Sequence, residues 1–413
     1  MISFSSWAFR LFLMLYGCIF CLNSSAQDSM QKRLDTYFEQ TINDTYIPGI
    51  VAIVVDEKQI LYEGAFGHQN VNQNIAMKSD VIHRIYSMTK PITSVAVLQL
   101  IQRGEMQLDD RIFAYLPDYK DKQVVDDFDP VSGNYTTRAA ASEITVRQLL
   151  THTAGIGYAF TNPVLAKISG AINAPLDFPL IHDPGTRWAY SQGPTVLGYL
   201  VEAVSGQPLD EYLQENILSP LQMTDTFYAV PSAKIGRVVS SHKKSGQALV
   251  ESPNPKIMQS KISGGGGLFS TGLDYVKFIQ MLLNKGEGPG GARILSPDSV
   301  KLMGQNQIGD LKIELQPTAF PDVSEPFPLG AGVDTFGLGF QITGEHKDLG
   351  KRSPGSLSWA GIQNTQFWID PKKRIGAILF MQYLPFYDSV AIEVLQGFER
   401  IVYESLRSGQ FRH

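Results

Sequence analysis

The chain has 413 residues, 43% of them hydrophobic and 18% charged, with a formal net charge of −5. That is ordinary globular material, enough for one large domain or two intimately packed ones. It carries no basic stripe, run of like charges, low-complexity stretch or obvious internal repeat, which sets nucleic acid aside as a partner.

Residues 1–26 read as an export signal. Arg10 is followed by the apolar run from Leu11 to Leu22, which has signal-peptide length and is short for a bilayer span. Ser24-Ser25-Ala26 then supplies small residues for cleavage before Gln27. The alternative is a lipoprotein anchored at Cys18, since Leu15-Tyr16-Gly17-Cys18 resembles a lipobox. Both cysteines of the chain, Cys18 and Cys21, lie in this segment. A mature chain of residues 27–413 therefore has no disulfide, no thiolate nucleophile and no cysteine-ligated zinc. The expected location is periplasmic or secreted, without a transmembrane anchor in the mature chain.

The β-branched run from Ile50 to Val55, bounded by Pro48 and Asp56-Glu57-Lys58, pairs with Ile60 to Gly67 as a β-hairpin. Thr93 to Ile101 is apolar nearly all round, so a helix there belongs in the interior, and it stops at Gly104. From Thr145 to Leu283 the chain reads as mainly helical. The helices expected there are Thr145 to Leu150, Thr195 to Val204, and one that starts from Thr271 and Asp274 in the manner of a capping box. Strands return at Phe336 to Thr343, Ser356 to Ile369 and Arg374 to Gln382, and Val390 to Leu406 closes the chain as an amphipathic helix. Strands at both ends around a helical middle imply an α+β fold: one antiparallel sheet assembled from the N- and C-terminal segments and flanked by helices, with a mainly helical insertion. The α/β part would hold residues 40–110 and 330–410, the helical part 111–329, both within one catalytic unit.

Three segments can carry chemistry. In Ser87-Met88-Thr89-Lys90, residues three apart on a helix share a face, so the lysine amine can reach the serine hydroxyl. An ordinary lysine, with a pKa of about 10.4, is a poor base at neutral pH. Val81, Ile82, Ile85, Tyr86 and Met88 on one side and Pro91-Ile92 on the other offer the apolar surroundings that would lower it. The same spacing occurs at Ser29/Lys32, Ser240/Lys243 and Ser241/Lys244, and taken alone it equally suits an N-cap serine beside a solvated lysine. The second segment is Trp188-Ala189-Tyr190-Ser191-Gln192, after the Pro184-Gly185 turn, where Tyr190 is placed to share protons with Lys90 or to protonate a leaving group. The third is Ser358-Trp359-Ala360-Gly361-Ile362. Small residues at Ala360 and Gly361 let a substrate approach the backbone, and an edge N–H beside that of Ser87 would form an oxyanion hole; a plain glycine bulge fits as well. Gly264 to Gly267 is not a phosphate loop, because no Gly-Lys-Ser/Thr follows, and it reads as a tightly packed connection. The seven histidines show no metal-ligand spacing, so neither a metal nor a cofactor is expected.

Together these segments resemble the β-lactamase-related serine hydrolases, which include class C β-lactamases, DD-peptidases and family VIII carboxylesterases. The matches are Arg84 to Thr93, Leu149 to Gly155, Tyr190-Ser191-Gln192, Gly264 to Thr271, and Trp359-Ala360-Gly361 with Phe367 to Pro371, in the family's order. The resemblance implies that Ser87 is acylated, that Lys90 and Tyr190 act as the base pair, and that the Ser87 and Ile362 N–H groups hold the oxyanion. It implies the β-lactamase/transpeptidase-like fold, with the site between its two parts. Trp359 stands where β-lactamases and DD-peptidases usually have the lysine of Lys-Thr-Gly, as in the esterase-like branch. Losing that cation disfavours substrates bearing a carboxylate, and an aromatic wall suits an uncharged acyl or alcohol group. Gln192 replaces the more usual asparagine, and Lys351 and Arg352 are near enough in sequence to restore a cation. The reaction expected is hydrolysis of a small-molecule carboxylic ester through an acyl-enzyme. The alternatives are a β-lactamase or D-amino-acid peptidase using the same residues, a transacylase passing the acyl group to an acceptor other than water, and a silent cell-wall-peptide binding protein.

Overall fold

The computed structural model describes residues 30–168, 178–246, 248–346 and 351–407. The export signal expected over 1–26, the Cys18 alternative and Ser29 of one Ser-x-x-Lys pair lie outside the described residues.

An eight-stranded antiparallel sheet organises the molecule, and its order joins the two ends of the chain. From one edge the strands are Thr335–Phe336, Gln341–Ile342, Leu357–Gly361, Thr365–Asp370, Ile375–Phe380, Gly49–Asp56, Ile60–Asn70 and Ile75–Ala76. The β-branched run is central because both of its faces are covered: every residue from Gly49 to Asp56 is buried. Alternate side chains serve two cores, as the two-residue strand period requires. Val51, Ile53 and Val55 join one core with Val95, Phe278 and Ile279. Ile50, Ala52 and Val54 join the other with Leu34, Phe38, Phe398 and Val402. The result is helices on both faces of one sheet.

The helix Thr89–Gln102 is buried at every position from Thr89 to Leu100, which is why its sequence is apolar nearly all round. It packs against helix Gly193–Ser205, which ends on Gly206 in the left-handed conformation (φ 71°). Helix Val146–Leu150 starts with a full capping box between Thr145 and Gln148, and Thr271 caps helix Gly272–Leu283 through the Asp274 N–H. The last helix runs Ser389–Arg407.

Three local expectations change, and one helix was not anticipated. Residues 30–44 form a helix whose Met30, Leu34 and Phe38, four apart, seal the outer core. Between 111 and 329 the chain carries β-structure besides its helices: a hairpin of Gln123–Phe128 with Tyr135–Ala139, and Ser241–Ser245 with Ala248–Ser252. These strands are short, and Tyr135–Ala139 is exposed throughout, so no apolar alternation marks them. The stretch 336–343 is broken into two-residue strands by a turn in which the Gly337 N–H donates to Phe340 O and Gly339 takes φ 95°. Ser356 to Ile369 is a hairpin, turned at Ile362-Gln363-Asn364 with Asn364 left-handed (φ 58°).

Candidate active site

Ser87 occupies a single 3₁₀ turn, Tyr86–Met88, that feeds directly into helix Thr89–Gln102. Tyr86 has φ 43°, an uncommon value for a residue with a Cβ, and the turn is fixed from outside. Tyr275 Oη donates to Met88 O (3.0 Å), and the Leu268 N–H donates to Thr89 Oγ1 (3.3 Å). From this turn Lys90 reaches back to the serine, with Nζ 3.0 Å from Ser87 Oγ. The ammonium or amine has two further partners, Gly265 O at 2.6 Å and Tyr158 Oη at 3.1 Å. Lys90 is 1% exposed, and desolvation holds its pKa well below the ordinary lysine range.

The four-glycine run passes between the two packed helices. A Cβ on Gly264 would overlap Pro194 O, and one on Gly265 would overlap Thr195 Oγ1. The absence of side chains lets the Gly265 carbonyl reach the lysine, and Thr93 Oγ1 anchors the loop by donating to Gly264 O (2.9 Å).

Tyr190 arrives from the opposite wall. Gly185, at φ 84°, turns the chain and donates its N–H to Thr153 O (2.7 Å). The Tyr190 N–H then donates to Gln316 Oε1 (3.1 Å), and Tyr190 Oη donates to Ser87 Oγ at 2.7 Å. Burial raises the phenol's pKa above its ordinary value. The two shifts run in opposite directions, favouring the free amine at the lysine and the protonated phenol at the tyrosine. His152 secures the segment. Its Nδ1 accepts from the Ser191 N–H (3.2 Å) and lies 2.8 Å from Ser191 Oγ, while its ring packs among Trp188, Tyr190, Phe336 and Trp359.

Above Ser87 opens a cavity of about 730 Å³. Tyr158, Phe160, Tyr190, Phe327, Trp359 and Phe386 give it an aromatic wall, and Ala360 and Ile362 also line it. Of the residues singled out in the sequence, Ser87, Tyr190, Trp359, Ala360 and Ile362 thus converge on one space, with Lys90 beneath. Gln192 and Gly361 are not among the lining residues. Gln192 is the N-cap of helix Gly193–Ser205 and is buried. Gly361 is small for a different reason from substrate access: a Cβ there would overlap Ile85 O, so the glycine lets the strand end abut the serine's own turn. Lys351 and Arg352 do reach the cavity, but Arg352 lies 3.3 Å from the buried Glu399 carboxylate, which compensates its charge. Tyr158 was not singled out in the sequence, since a tyrosine in a glycine-rich turn carries no periodicity. Its one sequence signal is position, six residues after His152.

The competing Ser-x-x-Lys pairs have other roles. Ser241, Lys243 and Lys244 lie on strand Ser241–Ser245, where residues three apart point to opposite faces. Lys243 pairs with Asp322 and Lys244 with Asp388, each at 2.9 Å.

Fold and constellation together define a class. The Beta-lactamase family model matches residues 34–395, and the chain belongs to that family, with its β-lactamase/transpeptidase-like fold. Within it, Monacolin J acid methylbutanoyltransferase of Aspergillus terreus is 30% identical over 404 residues, which cover 91% of this chain and 96% of that protein. Lovastatin esterase of Penicillium rubens is 29% identical, over 90% of this chain and 98% of that one. Among solved structures, the LovD6 mutant of simvastatin synthase from Aspergillus terreus matches with a TM-score of 0.78 at 30% identity, covering 91% of this chain and 95% of that one.

Proposed function

We propose that the protein is a serine acyl-transfer enzyme that hydrolyses carboxylic esters through an acyl-Ser87 intermediate. The observation that carries this reading is that one hydroxyl, Ser87 Oγ, lies 3.0 Å from a buried lysine amine and 2.7 Å from a protonated tyrosine, beneath an aromatic cavity. Lys90, the group biased toward the free amine, takes the Ser87 proton as Oγ attacks the ester carbonyl. The oxyanion is received by the N–H groups of Ser87 and Ile362, the first of them at a helix start where the peptide dipoles favour negative charge. Tyr190 protonates the departing alcohol, and water then repeats the sequence on the acyl-enzyme. An ester is favoured over a β-lactam because the wall at Trp359 is aromatic and Arg352 is neutralised. Relatives named as an esterase and an acyltransferase agree with that preference.

The test is turnover of a short-chain nitrophenyl ester and of a chromogenic cephalosporin by wild type and Ser87→Ala. Ester turnover that vanishes in the variant is expected, and cephalosporin turnover without ester turnover would overturn the reading. A second reading, transfer of the acyl group to an alcohol, is favoured by the methylbutanoyltransferase relative and by a cavity large enough for an acceptor beside the acyl group. Added alcohol that diverts product from free acid to new ester would establish it. Residues 1–26 are proposed to export the chain, and a mature N-terminus at Gln27, read by intact mass, is the expected result.

A further inference from the structure

The mechanism above takes a proton at Lys90 and spends one at Tyr190, two groups that each touch Ser87 Oγ but are not bonded to one another. Tyr158 lies between them. Its hydroxyl is 3.1 Å from Lys90 Nζ, and its ring centroid is 5.0 Å from that of Tyr190 with the ring planes tilted by 39°, so the two phenols lie side by side and act on each other electrostatically. A neutral amine has two N–H bonds and one lone pair. If the lone pair faces the Ser87 O–H, the N–H bonds are left for the other two neighbours, Gly265 O and Tyr158 Oη. Protons can then pass round the cluster in one sense: Ser87 to Lys90, Lys90 to Tyr158, Tyr158 to the neighbouring Tyr190, and Tyr190 to Ser87.

We propose that Tyr158 closes a four-membered proton relay, returning to Tyr190 the proton that Lys90 removes from Ser87. The inference rests on the acyl-enzyme reading. In the first step the Ser87 Oγ–carbon bond forms, the Ser87 proton moves to Lys90 Nζ, and the carbonyl electron pair moves onto oxygen. In the second, the bond from the carbonyl carbon to the leaving oxygen breaks. Tyr190 gives its proton to that oxygen and takes one from Tyr158, which takes one from Lys90. The alcohol leaves with one proton, and both tyrosines and the lysine end neutral. Burial keeps Tyr158 protonated throughout, as the relay requires. Its ring also packs on Phe160, 5.2 Å away, so a purely structural role is the competing explanation.

Leaving-group dependence separates the two. A nitrophenolate departs without a proton, whereas an alkoxide needs one. Tyr158→Phe keeps the ring and removes only the hydroxyl. Its kcat/KM on an alkyl ester is expected to fall by about 100-fold more than on the nitrophenyl ester of the same acid, the lower end of what one general acid–base step contributes. Equal losses on both, or none, would overturn the relay while leaving the acyl-enzyme reading intact. A wild-type enzyme that turns over neither ester would overturn both. Should Tyr158→Phe fail to fold, wild-type alkyl-ester hydrolysis in mixtures of light and heavy water decides the matter. A curvature that requires more than two protons in flight is expected, and a dependence accounted for by one or two overturns the relay.

Discussion

Lys90 is the residue whose chemistry depends most on where it lies. A lysine lowered in pKa by burial gains its base function as pH rises through that lowered value. The kcat/KM profile should therefore climb from acid pH and level off well short of 10.5, the ordinary lysine value. A profile still climbing there would contradict the assignment. Lys90→Met should lower kcat by roughly 100- to 10,000-fold, the usual worth of a positioned general base. Lys90→Arg should not rescue it, because a guanidinium stays charged and cannot accept the serine proton. The Ser87 to Lys90 spacing, and the apolar neighbours that foretell burial, are legible in the sequence because both are local. Tyr158 is not, since its partner is 68 residues away and its spacing from His152 is the one local mark it carries.

Elements bring these side chains to bear, and two glycines show how closely. Gly361 ends strand Leu357–Gly361 against the Ile85 carbonyl, so Gly361→Ala must push the serine turn and the strand apart. A kcat loss of about tenfold or more is expected with the fold retained, because misplacement of about 1 Å can cost on the order of 100-fold. Near-native kcat for this variant would show that the turn adjusts freely. By contrast, Thr145→Ala should leave kcat alone and cost about 1 kcal/mol in urea unfolding, the typical worth of an N-cap. Caps of this kind were readable in the chain, as was the apolar helix after Lys90. The broken strand at 336–343 and the hairpin at 123–139 were not. The first depends on a glycine turn packed beneath Met303, and the second buries only Val124, too little to imprint an alternating pattern.

For the whole molecule, the same burial that tunes the site makes the fold sensitive to pH at both ends. Desolvation pushes His83 down to about 3 and His152 well below 6.5. Both are therefore neutral in the fold, and their share of stability is complete above 6.5 and lost as pH falls from there toward 3. Tyr62, Tyr383 and Tyr403 are raised above 10, each chiefly by burial, so their share is lost as pH rises beyond 10. The urea midpoint should hold on the plateau between and fall on each side. His83→Leu, which removes one of the buried titrating groups, should flatten the acid side, and an unchanged acid slope would show that His83 is not responsible.

Neighbours along the chain are enough to specify the β-branched central strand, the buried helix, the caps, and a serine with a lysine three residues on. Periodicity and local sterics suffice for these. Which of the described Ser-x-x-Lys pairs meets, and what surrounds it, depends on long-range packing. Tyr190 comes to Ser87 across 103 residues and Gly265 to Lys90 across 175, and only the packing of two helices and a sheet end excludes water there. Because a lysine becomes a base through desolvation, and desolvation belongs to the assembled core, the reactivity of the pair is a property of the fold.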